Sequence, residues 1–275
     1  MWTLTGFADE ISPDLDEQLQ TLAAEEIRHL ELRGVWEKNV LNLSDGELHE
    51  LRSRLADAGV GVSSIGSPIG KIPVTDPFDA HMASFARALH VARLLDAPYV
   101  RVFSFFIPED EDPASYREEV LDRMGRLANA ARSVEVTLLH ENERHIYGDV
   151  PERCLHILEG VSSPSLRAAW DPANFVLCGV RPHTEGYDLL RPYIRYVHVK
   201  DAVMDTGEIR PAGEGDGEVR ETLRALHQSG FDGYFSLEPH LASAGTFSGY
   251  SGPDLYRKAA QAFKGLLREQ NIAWA

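Results

Sequence analysis

Apolar positions along the chain fall into two alternating rhythms. Short runs rich in Val, Ile, Leu and Phe occur at TLTGFA (3–8), HLELRG (29–34), GVSSIG (61–66), YVRVFSF (99–105), VTLLHE (136–141), LRAAWD (166–171), YVHVKD (196–201) and YFSLEP (234–239). The longer segments between them carry apolar residues at helical spacing, as with Met82, Phe85, Ala86 and Leu89, or Val219, Leu223 and Leu226. Eight such pairs predict parallel strands joined by helical crossovers. Ser12 before Pro13, a capping box in SDGE (44–47) and Asp76 before Pro77 mark helix starts, while Gly59 and Gly230 mark ends. No repeat, low-complexity tract or linker divides the chain, so residues 1–275 are expected to form a single domain. Eight pairs without a glycine fingerprint after the first strand predict an α/β fold, a (β/α)8 TIM barrel, over a doubly wound open sheet. The Gly/Ser-rich stretch LASAGTFSGYSG (241–252) is the longest irregular connection and reads as a lid or an interface arm.

Composition narrows the function classes. A hydrophobic content of 43% over 275 residues suits one large core, and a formal charge of -16 disfavours nucleic acid and anionic membrane surfaces as partners. Cys154 and Cys178 have no CxxC spacing and read as buried thiols. The amino terminus lacks an export pattern and no run reaches membrane-spanning length, so a cytoplasmic enzyme acting on small molecules is the expectation.

In such a barrel, chemistry belongs at the carboxyl ends of the strands. The last four strands deliver Glu141, Asp171, His198 and Glu238 there, separated by 30, 27 and 40 residues, each about one strand, helix and return. Three acids in a partly dry site raise one another's pKa unless a cation neutralises them. Three carboxylates and an imidazole form a hard, oxygen-rich set suited to one divalent metal ion, Mn2+, Mg2+ or Co2+ ahead of Zn2+. The competing reading is a set of unrelated barrel-mouth acids paired with Arg and Lys. Pro172 holds Asp171 out of helical dihedrals and so fixes its direction.

LLHENE, AAWDPANF, YVHVKDA followed by PAGEGDG, and SLEPH together resemble the xylose-isomerase-like TIM-barrel superfamily of sugar phosphate isomerases and epimerases, over essentially the whole chain. The resemblance implies the metal quartet Glu141, Asp171, His198 and Glu238. It leaves open sugar isomerases, ketose 3-epimerases, and inosose or dehydroshikimate dehydratases, and it implies dimers or tetramers. Many members carry a histidine three positions after the metal Asp, where this chain has Asn174.

Strand alternation sorts the neighbours. Glu143 and Lys200 share faces with Glu141 and His198, and His240 bears the same relation to Glu238, so with His145 and Asn174 they are candidate substrate contacts. His140 points toward the helices as a packed histidine. Glu31 and Arg33 share one face of HLELRG and read as a lumenal ion pair. Lys71 and Arg101 are further candidates for the mouth, and Trp36, Phe106 and Phe175 for an apolar wall. RPAGEGDGEV (210–219) invites a phosphate-loop reading, but it lacks the GK[ST] ending and carries Glu214 and Asp216. It reads as a glycine-permitted loop closing over the site, with Arg210 alone arguing for an anion.

The expected reaction is proton abstraction next to the carbonyl of a sugar or polyol ketone, with Glu141 and Glu238 as base and acid on opposite faces of an enediolate held on the ion. Epimerisation, aldose–ketose isomerisation and dehydration by a lyase all share that first step.

Overall fold

The computed structural model describes residues 1–244 and 249–275. The tip of the expected lid or arm, residues 245–248, lies outside the described residues. All eight predicted strands form: β1 (Thr3–Gly6), β2 (His29–Leu32), β3 (Gly61–Ile65), β4 (Tyr99–Val102), β5 (Thr137–Glu141), β6 (Leu166–Trp170), β7 (Ile194–Val199) and β8 (Tyr234–Leu237). They pair in parallel around a sheet running β1-β8-β7-β6-β5-β4-β3-β2, and a Phe7–Glu31 bridge joins the outer strands. The result is a nearly closed (β/α)8 barrel.

The connections are helical: α1 (Leu15–Ala24), α2 (Asp45–Ala58), α3 (Phe78–Leu94), α4 (Arg117–Arg132), α5 (Pro151–Val161), the short α6 (Pro172–Val176) and α7 (Asp188–Leu190), α8 (Val219–Gln228) and α9 (Gly252–Glu269). Ser44 and Glu47 make the expected capping box, with Ser44 Oγ accepting from Glu47 N at 3.2 Å and Glu47 Oε2 accepting from Ser44 N at 2.8 Å. Gly59 ends α2 in the left-handed region at φ 65°.

Two expectations need correction. The first helix starts at Leu15 with Asp14 as its cap, because the Asp14 carboxylate reaches Glu17 N at 3.0 Å whereas Ser12 Oγ is occupied by Asp14 N. In α3 the buried face runs through Phe85, Ala88, Leu89 and Ala92, leaving Ala86 exposed, since the helix is rotated by the demands of Ala88 and Ala92 rather than by Ala86.

The main core lies between barrel and helices, where Leu4, Val100, Leu138, Val197 and Phe235 point outward against apolar helix faces. The alternate residues fill the lumen. Leu139, Ala169 and Tyr196 form a small apolar layer with Tyr99 and Tyr234 at its base. Thr5 Oγ1 lies 2.7 Å from Ser63 Oγ, which in turn lies 2.8 Å from Tyr196 OH. This satisfied polar layer is the floor on which the residues of the mouth stand.

Candidate metal centre

Each of the four last strands ends by presenting a polar side chain in lumenal register. Glu141 closes β5, Asp171 follows β6, His198 lies one residue before the end of β7, and Glu238 follows β8. All four are buried, and one ligand atom from each lies within 4.8 Å of all the others. His198 Nδ1 is 3.3 Å from Glu141 Oε1, 3.4 Å from Glu238 Oε2 and 3.8 Å from Asp171 Oδ2.

The donor set passes a direct test of fit. Glu141 Oε2, Asp171 Oδ2 and His198 Nδ1 are buried without a hydrogen bond among the described residues. Unsatisfied buried acceptors are costly, and several of them facing one another is the arrangement a cation resolves. Their partner atoms are already committed outward. Asp171 Oδ1 caps α6 by accepting from Asn174 N at 2.9 Å, and His198 Nε2 faces Glu31 Oε2 at 3.2 Å. An ionised carboxylate only accepts, so Nε2 carries a proton; Nδ1 faces the three carboxylates of the cluster, and on giving up its own proton it would offer them a lone pair for a shared cation.

Side-chain cations surround the carboxylates. Lys200 Nζ lies 2.8 Å from Asp171 Oδ2 and 3.0 Å from Glu238 Oε2. Arg101 Nη1 lies 3.2 Å from Glu141 Oε2 and 3.7 Å from Glu238 Oε1, and Arg33 Nη1 is 3.3 Å from the same Glu238 oxygen. Burial pushes the Glu141 carboxyl up, but the His198 imidazolium and Arg101 outweigh it and hold the group at about 2. Burial likewise opposes ionisation of Glu238, and Lys200 with His198 carries it well below the usual range. His198 is pushed down by burial and driven well above its ordinary value by Glu141 and Glu31.

The expected substrate contacts divide into three groups. Lys200 is in the cluster, and His240 Nε2 borders it, 3.6 Å from Glu238 Oε1 and 3.2 Å from Glu10 Oε1. Asn174 is buried and donates from Nδ2 to Glu141 Oε1 at 3.2 Å and to the Asn142 carbonyl at 3.0 Å. Glu143 is partly buried and pairs with Lys71 at 3.1 Å. His145 is exposed, and Arg210 is exposed and paired with Glu208 at 2.7 Å, so neither joins the cluster. His140 packs outside the barrel against Ser104 Oγ at 3.0 Å, and burial lowers it to about 4. Phe175 is fully buried against Trp170 rather than lining the mouth, since α6 turns it inward. Cys154 is buried and Cys178 partly so.

The expected Glu31–Arg33 pair does not form. Both residues are lumenal, but Glu31 serves His198 and accepts from Ser236 Oγ at 2.7 Å, whereas Arg33 reaches Asp9 Oδ2 at 2.7 Å as well as Glu238. Residues two apart on a strand stand at different heights, and each meets the charge at its own level. The glycine loop also has an occupant the sequence reading missed. Asp201 takes the amides of Gly213, Gly215, Gly217 and Ala202 at 2.8–3.1 Å, so its own carboxylate fills the anion cradle. Position directly after Lys200, in a stretch followed by three alternate glycines, was the available signal.

Fold and site define a class: a (β/α)8 barrel with a buried carboxylate–imidazole quartet at the carboxyl-end mouth. Within that class the chain belongs to the xylose isomerase-like TIM-barrel family, whose model matches residues 19–269. It is 28% identical over 193 residues to a 2-epi-5-epi-valiolone 7-phosphate 2-epimerase of Actinoplanes sp., covering 70% of this chain and 69% of that protein. Among solved structures it is similar to a D-tagatose 3-epimerase-like protein, with TM-score 0.77, 20% identity and 98% of each chain covered. It is similar also to the probable 3-DHS dehydratase AsbF of Bacillus anthracis, with TM-score 0.76, 17% identity, and 96% of this chain and 98% of that one covered. Two further structures of this fold hold metals: a Mycobacterium smegmatis barrel in complex with magnesium (TM-score 0.69, 19% identity, 97% of each chain) and IOLI protein with a zinc atom (0.74, 16%, 97% of each). No helix among the described residues is long and apolar enough to cross a membrane.

Proposed function

We propose that this chain is a divalent-metal-dependent epimerase or isomerase of sugar or polyol ketones, working by proton transfer at the carbon next to the carbonyl. The observation that carries this reading is the meeting of four buried ligand side chains, three of which carry an atom left without a hydrogen bond among the described residues. The name of the Actinoplanes relative supports epimerisation of a ring ketone ahead of other outcomes.

Glu141, Asp171, His198 and Glu238 would hold the ion, which when bound supplies Lewis acidity to a substrate carbonyl. Glu141 and Glu238 approach from strands three places apart and act as the base and acid that remove and return the proton. Both are depressed carboxylates, so both enter the reaction ionised: one takes the proton from the carbon next to the carbonyl, and the proton returned to the opposite face reaches the other carboxylate from solvent, leaving the first to release its own. Asn174 holds Glu141 through Oε1, and Glu31 holds His198 in the ligating tautomer. Lys200 donates to substrate oxygens from a position where its ammonium already serves Asp171 and Glu238. His240 lines the same mouth beside Glu238, while Glu143, paired with Lys71, and the exposed His145 and Arg210 would meet a substrate only outside the cluster.

The test is solvent exchange. A panel of ketoses and inososes is incubated in D2O with Mn2+ and followed by NMR, using the wild-type chain and Glu141→Gln. Exchange of the proton next to the carbonyl is expected in the first and lost in the second; undiminished exchange in the variant removes Glu141 from the base role. Loss of a β-hydroxyl in place of reprotonation makes the same site a dehydratase, and an absorbing enone product in the panel replaces the epimerase reading.

A further inference from the structure

A second triad of ligand atoms sits on the far side of Glu238. Glu10, from the turn after β1, and His240, just beyond β8, offer atoms that lie with one from Glu238 within 4.8 Å of one another. Glu10 and Glu238 are 0% and 3% exposed, and the His240 side chain is 9% exposed. Glu10 Oε1 and His240 Nε2 are buried with no hydrogen bond among the described residues. Glu238 divides its oxygens between the groups: Oε2 is the one nearer His198 and Lys200, Oε1 the one nearer His240. In ligand chemistry this is a second divalent-cation site sharing a bridging carboxylate with the first.

The chain puts a guanidinium there instead. Arg33 Nη1 is 3.3 Å from Glu238 Oε1 and Nη2 is 3.8 Å from Glu10 Oε1, while Nε is anchored on Asp9 at 2.7 Å. Its Cζ lies 4.5 Å from the centre of the Phe7 ring, and Nη2 also reaches the Gly249 carbonyl at 3.4 Å. Five partners fix this cation, and the side chain is 5% exposed. A fixed charge at that range repels a dication, and the guanidinium answers the two carboxylates without demanding the tetrahedral or octahedral closure an ion needs.

We infer that Arg33 is the resident cation of a latent second metal site, formed by Glu10, Glu238 and His240, and that it keeps the centre mononuclear. The inference rests on the quartet being a one-ion site, but its readout is the difference between two chains. Arg33→Gln removes the charge and leaves Asp9, Glu10, Glu238 and His240 facing one another, an assembly of buried carboxylates that takes up a cation or protonates.

The experiment strips both chains with chelator, saturates them with Mn2+, and measures metal per chain by elemental analysis and calorimetric stoichiometry. Arg33→Gln is expected to bind one more ion than wild type, and Glu10→Gln added to it is expected to abolish that increment. Equal stoichiometry in a variant with wild-type circular dichroism overturns the inference, as does an increment that survives Glu10→Gln. Wild type supplies an arm that needs no variant: its Mn2+ spectrum by electron paramagnetic resonance should show isolated ions at saturation. An exchange-coupled pair in the wild-type chain also overturns it. Absence of any ion in wild type would sink the quartet reading and with it the claim that Arg33 keeps the centre mononuclear, while the increment in Arg33→Gln would still score the Glu10, Glu238 and His240 site by itself.

Discussion

Replacing Glu31 by Gln removes one charge from the barrel lumen while nearly keeping the side chain's shape. In the native chain Glu31 Oε2 faces His198 Nε2 at 3.2 Å and accepts from Ser236 Oγ at 2.7 Å, and the residue is buried. The carboxylate can only accept, which pins the imidazole proton on Nε2. A glutamine can donate as well, and the ring is then free to adopt the tautomer with its proton on Nδ1, the atom that faces Glu141, Asp171 and Glu238. That tautomer cannot ligate. Loss of the outer partner of a ligating histidine weakens metal binding by roughly 10- to 100-fold, or about 1.4–2.8 kcal/mol. Calorimetric titration of Mn2+ into stripped wild type and Glu31→Gln, at one pH and with melting curves to confirm folding, measures this directly. An affinity within about twofold of wild type in the folded variant would refute the tautomer argument and with it the role given to His198.

Lys200→Met should tighten Mn2+ by roughly tenfold, because the ammonium competes for Asp171 Oδ2 through an ion pair and for Glu238 Oε2 through a charged hydrogen bond; weaker binding in the same titration would show that Lys200 assists the ion instead. Gly215→Ala places a Cβ 2.5 Å from both the Ala202 carbonyl oxygen and Asp201 Oδ1. Opening that cradle should cost about 1–3 kcal/mol and lower Tm by roughly 2–10 °C, and an unchanged melting curve would contradict it. His140 is lowered from 6.5 to about 4 by burial, so the unfolded chain takes up a proton that the folded chain refuses. Stability is therefore full above about pH 6.5 and falls by about 3 kcal/mol toward pH 4, and His140→Gln should flatten that part of a denaturant-midpoint profile.

The barrel was legible because its signal is periodic and repeated: eight short apolar runs followed by amphipathic segments tolerate a wrong boundary at any one of them. The quartet was legible for a related reason, since its residues occupy one position in four successive units and the strand fixes their direction. What escaped was pairing across the lumen. Glu31 and Arg33 share a face, which sequence alternation reveals, but their partners His198, Glu238 and Asp9 are set by barrel closure and by the height of each side chain along the axis. The sequence offers Asn174 as a substrate contact, and its placement against Glu141 depends on the turn from β6 into α6. The glycine loop cradles an anion from within the chain, Asp201, a residue that carries no motif of its own.

The cations around the quartet also settle how the competing reading of the sequence relates to the metal reading. Barrel-mouth acids paired with Arg and Lys are the alternative to a metal site, and the same atoms that make those pairs are the ones that could hold an ion. Glu141 has Arg101, Asp171 has Lys200, and Glu238 has Arg33, Arg101 and Lys200 within 4.0 Å. Buried carboxylates without such partners would protonate or destabilise the fold, so the pairs let the chain fold without an ion. They differ in what they leave unmade: Glu141 Oε2, Asp171 Oδ2 and His198 Nδ1 have charge nearby but no hydrogen bond. Charge compensation is therefore complete enough for folding and geometric satisfaction is not, and that gap favours an ion over a finished ion-pair network. Lys200 is the member positioned to yield, because it touches Asp171 Oδ2 and Glu238 Oε2, both within 3.8 Å of His198 Nδ1, and has no other hydrogen-bond partner among the described residues beyond Glu238. On the function proposed above, an ion that displaced this ammonium would leave it beside the centre as a donor for a substrate oxygen, and metal loading would be tied to substrate recognition through a single side chain.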